Sequence, residues 1–189
     1  MAKNLGAQIN IKQTYFRKFD YRLMPELPVV LSIVSVQRGV RRNYFSVIQA
    51  WSPFGHDHLL FGQWREQATF EELRKSYWDF VWHFRPSVAL IRAAANGAAL
   101  ISDAKLQQFP RVVDIAPDNR SKAKKLIAHL PLIRSLAIHL VESASWKENY
   151  VNEFIEFPAG KFNNQIEATT QYLDWIGTNP IPKLCQIGH

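Results

Sequence analysis

The fold class this chain predicts is α/β, a mixed sheet flanked by helices, and three observations carry it. Residues 28–36, PVVLSIVSV, form a mostly apolar run suited to a buried central strand. Residues 44–51 and 58–64 are β-rich and flank SPFGHD, a turn-forming cluster, so they read as a hairpin. From residue 69 onwards, helical and extended patterns alternate. Three antiparallel strands, then helix and strand by turns, is the expected order.

Each later element has its own signal. Thr69 and Glu72 stand in capping-box spacing and open an amphipathic helix. Phe70, Leu73, Tyr77, Phe80, Val81 and Phe84 recur at helical spacing and should face the sheet, and Pro86 ends the helix. Residues 87–91, SVALI, follow as a short strand; 97–108 read as a helix and 111–116 as a strand. A helix is expected from Ser121, interrupted at Pro131, and residues 137–141 form another short strand. Ser145 and Glu148 form a second capping-box pattern, leading a helix through Tyr150, Val151, Phe154 and Ile155. The last helix spans 164–176. Residues 1–26 lack a clear period and read as an arm, 27–178 as the domain and 179–189 as a tail.

Composition narrows the function classes. At 189 residues with 47% hydrophobic and 21% charged side chains, the chain fits one soluble globular domain. Its six Trp and twelve Phe suit a sheet–helix core, with base-stacking surfaces as the alternative. A net charge of +7 fits a polyanionic partner bound through phosphate neutralisation, with steep salt dependence. The lone Cys185 excludes an internal disulfide and a Cys/His zinc cluster. His56 and His58 flank Asp57 in the hairpin turn, where a metal site is conceivable but a plain turn is the simpler reading. The N-terminal MAKNLGAQINIK lacks the apolar core of a signal peptide, and no run is long enough to span a bilayer, so a cytoplasmic location is expected. No GxxxxGK[ST] loop is present, so ATP hydrolysis by that route is excluded.

One stretch points to a family. Residues 157–176 read FPAGKFNNQIEATTQYLDWI. This resembles the FPxGxxDDxxDA loop and helix of the nuclease domain of phage terminase large subunits, the DNA-packaging motors. Phe157, Pro158, Gly160, Gln165 and Ala168 keep that frame. Four further segments resemble the family in order: NIKQTYFRKFD the linker leaving the motor, VVLSIVSVQRGVRRNYFSV the first strand pair, SVALIRAAANGAALISDAK a VLIEDxxxGxxLIxDL segment, and PDNRSKAKK a basic PxGDKxxR turn. The likeness covers residues 9–176 and implies an RNase H-like mixed sheet.

The resemblance also shows what is missing. The family's first aspartate falls on Val34, its strand glutamate on Arg92, and its paired aspartates on Asn163 and Asn164; one acid survives as Glu167. RNase H-like nucleases hold two Mg²⁺ or Mn²⁺ ions about 4 Å apart, and hard cations need charged oxygen ligands. Valine offers no lone pair, amides carry no charge, and Arg92 is cationic at any relevant pH. An arginine about 4 Å from a divalent ion is repelled by on the order of 8 kcal/mol at an effective dielectric near 20. The family site is therefore expected to hold no metal cofactor, with an Arg92–Glu167 ion pair in its place or Arg92 turned to solvent. Arg38, Arg41 and Arg42 near the cleft rim, and Arg120, Lys122, Lys124 and Lys125 near the basic turn, are candidate contacts to double-stranded DNA; solvated loops are the plainer reading.

Three functions stay open from sequence. The first is a terminase nuclease-like domain of phage or prophage origin without cleavage, holding DNA, a separate terminase motor or a portal protein. The second is an active nuclease with a displaced site drawn from Asp20, Asp103, Asp114, Asp118 and Glu167. The third is a protein-binding module or prophage remnant with no nucleic-acid role.

Overall fold

Apolar runs that are buried on both faces become the inner strands of the sheet, and amphipathic segments cover them. The computed structural model describes residues 9–20, 22, 27–36 and 45–179. In chain order these form β1 (Phe16–Phe19), β2 (Val30–Val34), β3 (Ser46–Phe54), β4 (Asp57–Glu66), α1 (Phe70–Phe84), β5 (Val88–Arg92), α2 (Asn96–Leu106), β6 (Arg111–Ile115), α3 (Lys122–Arg134), β7 (Ile138–Val141), α4 (Lys147–Glu156) and α5 (Asn164–Thr178). One seven-stranded sheet has the order β1-β7-β4-β3-β2-β5-β6. β2, β3 and β4 pair antiparallel, and every other pairing is parallel. From β2 onwards the sequence-predicted order holds.

Two cores lie on opposite faces. α1 and α2 cover one, where Leu31, Ile33, Ile48, Ala50, Leu73, Tyr77 and Leu100 pack together. α3, α4 and α5 cover the other around Trp51, Leu126, Tyr150, Phe154, Ile166 and Tyr172. All five residues of β2 are buried, so this strand carries both cores. The α1 stripe behaves as its spacing predicts: Leu73, Tyr77 and Val81 are buried, with Phe70, Phe80 and Phe84 packed around them. The Thr69–Glu72 capping box forms in full.

Four expectations need correction. The segment expected to be an arm supplies β1 and buries Ile9, Ile11, Phe16 and Phe19; within β1 the buried pair is three residues apart, which masks the alternation of a strand. The hairpin strands run further than their β-rich stretches, leaving Gly55 and His56 in the turn, with Gly55 at φ +64°. Pro53 is tolerated because β3 there extends past Val30, the first residue of β2, so no neighbour on that side needs its N–H. Pro131 does not interrupt α3, which runs on to Arg134, only one turn further. Ser145 is not a cap: α4 starts after Trp146 without a side-chain cap.

Candidate functional site

Parallel strands of an α/β sheet deliver their C-terminal ends to one rim, and a helix crossing that rim closes a cleft. Here β2 ends at Val34 and β5 at Arg92, with Ile33 opposite Ile91 in the shared ladder. Gly97 allows the next helix to approach this rim, since a Cβ there would collide with the Arg92 carbonyl. α5 lies across β2 and β3 on the other side. Gln171 Nε2 sits 3.1 Å from Ser32 Oγ, 3.2 Å from the Ile33 carbonyl and 3.1 Å from the Leu90 carbonyl. Ser32 Oγ donates to the Ala168 carbonyl at 2.7 Å. These contacts set α5 against both strands.

The cleft is filled from within. Val34 is buried with Val47 and Ala168. The Arg92 guanidinium donates to Glu167 Oε1, and Lys122 Nζ pairs with Glu167 Oε2 at 2.7 Å. Lys122 also donates to Asn163 Oδ1 at 2.7 Å, while buried Asn164 Oδ1 accepts from the Phe45 N–H at 3.3 Å. Arg92, Lys122, Asn163 and Glu167 thus form one connected polar set, with Val34 packed on Ala168 and Asn164 bonded to Phe45 beside it.

These residues do not fit a divalent metal. The single carboxylate gives one oxygen to each of two cations, both amide oxygens face N–H donors, and Val34 offers nothing. Among the described residues no group of three or more His, Cys, Asp or Glu is placed to hold an ion. Beside Arg92, a cavity of about 190 Å³ is lined by Asp118, Arg120, Lys125, Gln171 and Trp175 among others. Its charges are paired with one another: Arg120 bridges Asp118 and Asp174 at 2.9 and 2.7 Å, and Lys125 reaches Asp118 at 3.2 Å. Burial works to raise the Asp118 carboxyl, but hydrogen bonds from Arg120 and Lys125 outweigh it and hold the pKa down to about 2.

The other sequence candidates divide clearly. Arg38, Arg41 and Arg42 lie outside the described residues, as does Cys185. Of the second basic cluster, Arg120, Lys122 and Lys125 are held by carboxylates, and Lys124 stands exposed on α3. The acids proposed for a displaced site do not converge. Asp20 binds Arg22, Asp103 binds Arg74 and Trp78, and Asp114 binds Lys105. The hairpin histidines are separated too: His56 is exposed, while His58 is buried against the Tyr172 hydroxyl at 3.0 Å.

A second buried carboxylate escaped the sequence reading. Glu153 accepts the Gln165 and Ile166 N–H groups at 2.7 and 3.2 Å, and so caps the start of α5 from a neighbouring helix. Gln165 Nε2 adds a third bond at 2.6 Å. Burial raises the Glu153 pKa, against these hydrogen bonds and the charge of Arg65. Arg65 itself is stacked on Phe45, 3.7 Å from the ring centroid. No spacing in the sequence marks this set, since its members come from β4, α4 and α5.

No family model and no curated protein sequence matches the chain. Solved structures do. The chain superposes on the large terminase of a thermophilic bacteriophage with a TM-score of 0.65 and 11% identity, over 89% of this chain and 44% of that one. It thus spans under half the length of that protein. The large terminase nuclease of thermophilic phage G20c, in a structure with bound zinc, gives 0.62 and 8% identity, over 90% and 98% of the two chains. The human cytomegalovirus terminase nuclease domain, in a Mn-soaked and inhibitor-bound structure, gives 0.56 and 10%, over 92% of each. The fold is the RNase H-like one of terminase nuclease domains.

Proposed function

We propose that this chain is a terminase-type nuclease domain, of phage or prophage origin, that has exchanged metal-dependent cleavage for binding, holding DNA or a packaging partner in a bacterial cytoplasm. The observation that carries this reading is Glu167, whose two oxygens are occupied by Arg92 and Lys122. A divalent ion would have to displace two cations from the single remaining carboxylate, with a valine at the position that the resemblance gives to the family's first aspartate. The net charge of +7 supports a polyanionic partner. On this reading a separate motor or a portal protein is the packaging partner, and Arg38, Arg41, Arg42 and Lys124 are the cations that meet phosphate. The structural relatives support a fold suited to DNA, and the loss of cleavage is our inference from the residues.

The test is incubation of supercoiled plasmid with the protein and Mn²⁺, with EDTA as control, alongside binding of duplex DNA across a salt series. Intact plasmid and binding that weakens steeply with salt are expected. Nicking that EDTA abolishes would overturn the proposal.

A further inference from the structure

At the far edge of the sheet from β6, strand β1 pairs only with β7 among the described residues. The Glu142 N–H donates to the Phe19 carbonyl at 2.9 Å, so Phe19 and Arg17 turn their backbone groups towards β7. Alternation along a strand then turns the N–H and carbonyl of Lys18 outward. Next to this open edge, between β1 and the first turns of α4, lies a cavity of about 370 Å³. Its floor includes Phe16 and Val151, both buried in the core. Its rim carries Arg17, Lys18 and Lys147 against a single acid, Glu148. Arg17 and Lys18 are exposed and make no ion pair among the described residues. Lys147 is anchored by donating to the Glu142 carbonyl, which fixes one cation at the mouth.

We propose that this groove binds an extended acidic segment of a protein partner, which adds a strand beside β1. Three features select that occupant. An open strand edge recognises another strand through main-chain bonds. An apolar floor takes alternate side chains, since successive residues of a strand point to opposite faces. Three cations against one acid ask for carboxylates on the segment's outer positions. A DNA duplex would meet the cations but leave the floor and the strand edge unused. The site stands apart from the Arg92–Glu167 cleft and does not depend on how that cleft works.

A short end-blocked peptide alternating glutamate with valine serves as the probe, titrated into the isotopically labelled full chain and followed by NMR. Amide shifts should concentrate at Phe16–Phe19 and Val151. The same peptide with N-methyl groups along one edge should bind roughly tenfold more weakly. A Lys18→Glu variant should weaken the unmodified peptide roughly fivefold, whereas Lys124→Glu should leave it unchanged. The proposal is overturned if β1 shows no shifts at millimolar peptide or if the N-methylated peptide binds equally well. Displacement of the peptide by a short DNA duplex would likewise overturn it, in favour of a phosphate-backbone surface.

Discussion

Two buried carboxylates sit near the start of α5 and are satisfied in opposite ways. Glu167 is met by two cations, Arg92 and Lys122. Glu153 is met by neutral donors, two backbone N–H groups and the Gln165 amide, with Arg65 no nearer than 3.7 Å. Ion pairing neutralises charge but lets long side chains keep one end near water. Amide donors cannot neutralise, so the burial of Glu153 shows in its raised pKa. One carboxylate fills a cleft; the other holds a helix end in place.

The largest effect expected from breaking this contrast is at Glu153. Its replacement by Ala leaves the Gln165 and Ile166 N–H groups buried without an acceptor, while the Gln165 amide keeps Asn149, and should lower the unfolding free energy by about 4 kcal/mol. Urea denaturation measures it, and a loss under about 1 kcal/mol would mean water takes over the capping role.

A buried base sharpens the same point. His58 is partnered by the Tyr172 hydroxyl, and burial lowers its pKa from 6.5 to about 4. Folded and unfolded chains are both neutral there above pH 6.5, so its contribution is fully present at neutral pH. As pH falls from 6.5 towards 4 the unfolded state takes up the proton first, and roughly 3 kcal/mol of stability is lost. Glu153 acts in the reverse sense, since its raised pKa relieves the folded state as acid protonates it. Denaturation at a series of pH values should therefore show a steeper acid loss in the native chain than in His58→Asn.

Glu167→Gln should be milder, about 2 kcal/mol, because Lys122 is 30% exposed and can turn to solvent while only Arg92 is left buried. An unchanged melting temperature would show that the ion pair contributes nothing to folding. Smallest is Ala95→Gly. Ala95 holds φ +50° and ψ −130° in the turn after Arg92, a conformation natural to glycine. Relief of strain against glycine's added chain entropy should leave a net gain of about 0.5 kcal/mol, read as a small rise in melting temperature.

These contrasts also explain what the sequence disclosed. The inner strands and α1 were legible because their signals are local: an apolar run, a hairpin turn, the Thr69–Glu72 cap. β1 was not, since its partner β7 lies over a hundred residues away in the chain and its Phe-Arg-Lys-Phe pattern lacks alternation. In the cleft, Glu167 drew attention through the frame of residues 157–168, and Val34 and Arg92 through the two strand segments that resemble the family, since no local spacing marks any of them. Lys122 read as a DNA contact, because nothing in PDNRSKAKK says that its ammonium turns inward to Glu167. Glu153 gave no signal, being one acid in a helix otherwise read for its apolar face.

The amide of Gln171 has a consequence for how freely this cleft can vary. By touching two adjacent strands at once, it ties α5 to the sheet through groups that play no part in the charge pattern at the rim. The rim can therefore change its chemistry without the scaffold changing shape. A substitution at the rim is then an event at a few side chains, and the frame that holds them keeps its shape.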